Sequence, residues 1–173
     1  MQFYMYPPPP PLAPFVDFFW YLSYPTRQSS AAHTLTPQRY LPGGMPELVI
    51  TLDGEGIREF SPHYLYRAER VPRMLLRGGY SQWYRAGGSA TTCLGAQFKS
   101  GGAAPFLPLP AGEIANAYVD LEELWGRRAV ELYERLLEAR TPVAQVRLLA
   151  QTMTAQALSP QPLISKAGHP LMH

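Results

Sequence analysis

The chain has 173 residues, 46% of them hydrophobic and 16% charged, with a formal net charge of +2. That balance describes a folded globular chain rather than a disordered one, and its scattered basic residues do not form the clustered footprint of a polyanion binder. Nineteen prolines and fourteen glycines favour short strands and turns over a helical bundle, and the lone Cys93 excludes an internal disulfide framework or a thiol metal cluster.

Met1 to Tyr6 is aromatic and apolar, and Pro7 to Pro11 reads as polyproline II that lays this arm across the domain. The prolines and the absence of a leading basic region argue against a secretory signal. No stretch approaches the ~18 apolar residues of a membrane span, so a cytoplasmic location is the expectation. Leu12 to Phe19 reads as a short turn running into a strand, with Val16, Phe18, Trp20 and Leu22 on one face. Gln28 to Ala32 is a loop, and His33 to Leu41 a strand that includes Leu35 and Tyr40.

Pro42-Gly43-Gly44 marks a sharp turn. Glu47 to Leu52 then alternates, with Leu48, Ile50 and Leu52 on one face and Glu47, Val49 and Thr51 on the other, before a turn at Asp53 to Gly56. Ile57 to Arg73 reads as an irregular hairpin or excursion. Met74 to Leu76 opens another strand, Gly78-Gly79 bends it, Tyr80 to Arg85 is a strand with rings on both faces, and Ala86 to Ser89 is a turn. In Thr91 to Phe98 a strand places Leu94, Ala96 and Phe98 together, and Ser100-Gly101-Gly102 turns the chain off the sheet. Strands at this spacing, not alternating with helices, point to an antiparallel barrel or sandwich.

Asp120-Leu121-Glu122-Glu123 reads as a capping box in which Asp120 accepts from the Glu123 amide. Beyond Gly126 the period becomes helical. Val130, Leu132, Tyr133, Leu136 and Leu137 mark one helix; Thr141-Pro142 starts a second, which runs to about Ala157 with Val143, Val146, Leu148, Leu149 and Met153 as apolar members. The short connection makes them an antiparallel pair. The fold class is therefore α+β, mainly β: a small antiparallel cupin-like β-barrel over residues 1–126, an α-hairpin over 127–158, and a tail over 159–173.

The chemistry in the pattern is sparse. His33, His63, His169 and His173 show no His-x-His spacing on a strand, so no metal site, cofactor or catalytic residue is assigned. No serine sits in a Gly-x-Ser-x-Gly elbow, and the glycine pairs lack the Lys-Ser/Thr of a phosphate loop. What remains is a pocket: Trp20, Tyr40, Glu47, Trp83 and Phe98 are candidate inner-face residues, rings with polar tips around one carboxylate. An inward Glu47 demands a hydrogen-bonding or cationic partner.

Four stretches in order carry a family resemblance: Pro14 to Tyr21, Leu41 to Val49, the run GAQFKSGGAAPFL with PAGEI, and VDLEELWG. They resemble a domain of unknown ligand found ahead of the helix-turn-helix in some AraC-type transcriptional regulators, over roughly residues 4–158. Ser100 departs from the proline usual there, and the sequence ends at His173, where the DNA-binding half of such regulators begins. The resemblance implies a small-molecule effector, a homodimer made through the helices, and contact with DNA only through that further half. Leu132, Leu136, Leu149 and Met153 are the candidate dimerisation residues. The rival readings are a cupin-like metal-dependent enzyme and a ligand-free interaction domain.

Overall fold

The computed structural model describes residues 1–24, 35–53, 56–60, 68–88, 92–108, 110–159 and 169–170. His33, His63 and His173, and the loop expected at 28–32, lie outside these residues. The architecture follows from two-sided alternation in its central strands. In β4 (Glu47–Thr51) and β9 (Thr92–Phe98), Leu48, Ile50, Leu94, Ala96 and Phe98 are all at most 1% exposed and belong to one core, whereas Val49 and Cys93 belong to a second core on the other side. A strand buried on both faces needs a layer on each side. Here one layer is helical and the other is a second sheet.

β4 and β9 pair antiparallel at the centre of a seven-stranded sheet. Beside β9 lie β2 (Val16–Ser23) and then β1 (Gln2–Tyr6); beside β4 lie β7 (Met74–Arg77), β10 (Ala117–Asp120) and β11 (His169–Pro170). The second sheet has four strands in the order β3 (Leu35–Tyr40), β8 (Tyr84–Gly88), β5 (Ile57–Phe60) and β6 (Ala68–Arg70). Neither sheet closes on itself, so two facing open sheets stand where a single small barrel was expected.

The outer helices are α1 (Leu121–Trp125), α2 (Arg127–Glu138) and α3 (Pro142–Ala157). The second and third fold back on each other. Gln145, in the first turn of α3, donates to the Leu136 and Ala139 carbonyls at the end of α2 (3.0 and 3.1 Å), while Arg128 at the start of α2 donates to Gln156 and Ser159 at the end of α3. Thr141 caps α3 by accepting from the Ala144 amide at 3.2 Å, as its place before Pro142 requires. Asp120 caps α1, but from the Glu122 amide at 2.8 Å and not that of Glu123. Leu132, Leu136, Leu149 and Met153 are at most 1% exposed inside this layer. The dimerisation assignment is thereby corrected: these side chains have been consumed in covering the sheet, and the apolar residues the helices leave exposed are Val130, Leu137 and Val143.

Four further departures have local causes. A register shift between Val16 and Phe18 sends Val16 and Phe19 to the helix side and Phe18, Trp20 and Leu22 to the other, splitting the face read as continuous. The Met1–Tyr6 arm is a strand whose Phe3, Tyr4 and Met5 stay exposed, and the polyproline run ends in a turn where the Leu12 amide donates to the Pro9 carbonyl. The strand expected at Tyr80 to Arg85 begins only at Tyr84 and continues through the supposed turn to Gly88. Residues 169–170 pair with β10, so the segment read as a tail includes an edge strand.

Candidate functional site

The two sheets enclose a cavity of about 280 Å³, close to the lower end of the roughly 300–1,000 Å³ of ordinary ligand clefts. Its floor is one transverse row of the seven-stranded sheet. Strand register sets Gln97 beside Glu47, Glu47 beside Arg77 and Phe18 beside Gln97, so four side chains from four neighbouring strands point the same way. All four line the cavity. The next row carries Trp20, Gly95 and Val49. A Cβ on Gly95 would sit 2.6 Å from the Trp20 indole and 2.0 Å from the Leu48 carbonyl oxygen, so only glycine lets the ring lie across this strand. The roof comes from the smaller sheet: Gln38 and Tyr40 of β3, Ile57 of β5, and Tyr84, Ala86 and Gly88 of β8. Ala86 and Gly88 contribute little volume, which leaves the space open.

Arg77 is the electrostatic centre. Its guanidinium forms a buried ion pair with Glu59 and donates to the Tyr84 hydroxyl at 2.6 Å. It also lies 4.8 Å from the centre of the Tyr84 ring and 5.4 Å from that of Tyr80. Tyr84 is stacked between Tyr80 and Tyr40, at centroid distances of 4.5 and 5.0 Å. Burial raises the Tyr84 hydroxyl to about 12 despite the opposing charge of Arg77, and it raises Tyr80 and Tyr40 as well, so all three stay neutral phenols. Cys93 lines the same space and burial pushes its thiol up to about 12; it behaves as a small hydrophobe, not a nucleophile.

Glu47 differs from Glu59. Burial raises its carboxyl above the ordinary range, against the pull of Arg77 and of the nearby Trp20 indole N–H. Yet among the described residues Glu47 joins no salt bridge, and the groups that face its carboxyl are the Trp20 indole N–H and the Arg77 charge already paired with Glu59. Buried polar groups are normally satisfied. Trp20 and Glu47 form the polar corner of an otherwise mostly apolar and aromatic lining.

Of the five pocket candidates, the structure brings together Trp20, Tyr40 and Glu47. Trp83 is half-buried away from the cavity with the Arg39 guanidinium 4.2 Å above its ring. Phe98 is corrected outright: it faces the helices, 1% exposed, with its ring 5.3 Å from that of Phe106. Alternation already set Phe98 with Leu94 and Ala96, the apolar face that helices must cover. The residues missed were Arg77, Tyr84 and Gln97. Gln97 was legible, as the polar residue between Ala96 and Phe98; Arg77 was not, because its pairing with Glu59 is set by the meeting of two sheets. Among the described residues, no three His, Cys, Asp or Glu side chains converge on a metal position. No helix among them is long and apolar enough to cross a membrane.

A family model matches residues 4–120, more than half of the chain, from β1 to the end of β10. The chain belongs to the DUF6597 family, a domain of unknown function. The DUF6597 match covers every described residue named above as lining the cavity and stops where α1 begins. No curated protein and no solved structure matches the chain.

Proposed function

We propose that this DUF6597 chain is the effector-sensing half of an AraC-like transcriptional regulator, binding a small molecule between its sheets and passing the event to its helices. One observation supports this most. The strands that floor the cavity are the strands on which the helices rest: Trp20, Glu47, Val49 and Gln97 look into the cavity, while their neighbours Phe19, Leu48 and Ala96 are packed in the core that includes α3 residues Val146, Leu149 and Met153. A ligand that shifts β2, β4 or β9 therefore shifts the seat of α3 within one backbone thickness. Packed layers transmit such displacements because they are close to incompressible.

On this reading the facing sheets act as an opened, cupin-like enclosure, and the exposed Val130, Leu137 and Val143 form the surface by which α2 and α3 meet a second copy. DNA contact belongs to a separate helix-turn-helix half. The test is a thermal-shift screen of small metabolites against the chain and against Ala86→Leu, which fills the roof. A ligand selective for the native state raises Tm, so hits are expected with the parent and lost in the folded variant. Hits that shift both proteins equally, or none at all, overturn the proposal.

A further inference from the structure

The proposal above leaves the ligand's chemistry open, and the following step rests on it. We infer that the cavity takes a small organic monocation, an ammonium head carried on an apolar body, with Glu47 as its counter-ion. The first argument is a charge count. Arg77 is committed to Glu59 and Tyr84, so its charge and that of Glu59 cancel. Glu47 is then the acidic group on the cavity floor that has no salt bridge of its own among the described residues, with only the neutral Trp20 indole N–H and the shared field of Arg77 beside it, and an ionised Glu47 gives the enclosure one uncompensated negative charge. Buried charge of that kind is costly unless matched.

The second argument is the wall. Phe18, Trp20 and Tyr40 line the same cavity as Glu47, and ring faces attract cations by their quadrupole, most strongly where water is excluded. Arg77 already shows the pattern, seated against Tyr80 and Tyr84. The third argument is exclusion. A carboxylate or phosphate would meet the like charge of Glu47 and a guanidinium whose own charge is already matched by Glu59, and a neutral apolar ligand would seal Glu47 away from water without a counter-ion. A cavity of about 280 Å³ limits the body to a small ring or short chain.

Isothermal titration with two sets of matched probes tests this: phenethylammonium, 2-phenylethanol and phenylacetate, and butylammonium, butanol and butyrate. The expected result is that within a set the ammonium binds at least about tenfold tighter than the alcohol, the carboxylate binds weakest, and Glu47→Gln brings the ammonium down to the level of the alcohol. Thermal unfolding of Glu47→Gln establishes that the variant is folded. An alcohol that binds as tightly as the ammonium, a carboxylate that binds tightest, or a preference that survives Glu47→Gln overturns the monocation and leaves the cavity reading standing. Silence from all six probes overturns both.

Discussion

The two faces of the seven-stranded sheet are made by the same strands and solve opposite problems. On the helix side, Phe19, Leu48, Ile50, Leu94, Ala96 and Phe98 are essentially inaccessible, and the polar groups that reach that side are satisfied: the Trp125 indole donates to the Phe106 carbonyl at 3.2 Å, and the Tyr133 hydroxyl bridges Arg73 and the Thr51 carbonyl. On the cavity side, one residue along each strand, Trp20 and Glu47 line an open space, and Glu47 has no salt bridge among the described residues. A chain able to fill one face completely leaves the other incomplete. Faces left unfilled beside well-packed ones are where ligands go.

The largest effect should come from damaging the filled face. Phe98→Ala removes a ring packed on Phe106 and should cost about 3–5 kcal/mol in urea unfolding; a loss below about 1 kcal/mol would place Phe98 in the open side after all. Next is the ion pair at the border of the two sheets. Arg77→Met strands Glu59 in the interior and should cost on the order of 3 kcal/mol, whereas Arg77→Met combined with Glu59→Leu should recover most of that loss. If the double variant is no better than the single one, the pair is not the isolated unit described.

Much of the contrast between the faces was readable in advance. Period-two alternation separated Leu48 and Ile50 from Glu47 and Val49, and Leu94, Ala96 and Phe98 from Gln97, because each strand carries its own record of which side is apolar. The helix pair and the Thr141 cap were equally local. The fold-back of β11 and the junction of Arg77 with Glu59 were not, since they depend on strands far apart in sequence meeting across a gap. The bulge near Asp17 was hidden for a different reason: Val16, Phe18, Trp20 and Leu22 fit one uninterrupted strand face perfectly well, and nothing within the segment announces the shift that splits them. Phe98 was misassigned by residue type, an aromatic chosen for a pocket against the alternation of its own strand.

The smallest stability effect falls on the open face and carries a sign. Glu47 has its carboxyl raised in the folded chain by burial, so the folded state holds its proton more tightly than the unfolded chain does. Its contribution to stability is then fully present below the unfolded value of about 4.3 and is lost as pH rises through the folded one. Glu47→Gln, which cannot ionise, should match the parent in acid and become the more stable of the two as pH rises. A parent that gains on the variant with rising pH would mean that Glu47 has a strong partner, and the unfilled face would lose its defining charge.

The most direct measurement uses the three tryptophans as position markers. Trp20 borders the cavity, Trp83 lies away from it beneath Arg39, and Trp125 is buried on the helix side. In a nitrogen–proton correlation spectrum, with the indole signals assigned by single Trp→Phe variants, titration of a bound small molecule should move the Trp20 signal most, Trp125 less, and Trp83 scarcely at all. A titration that moves Trp83 or Trp125 while Trp20 stays fixed would contradict a ligand site between the sheets.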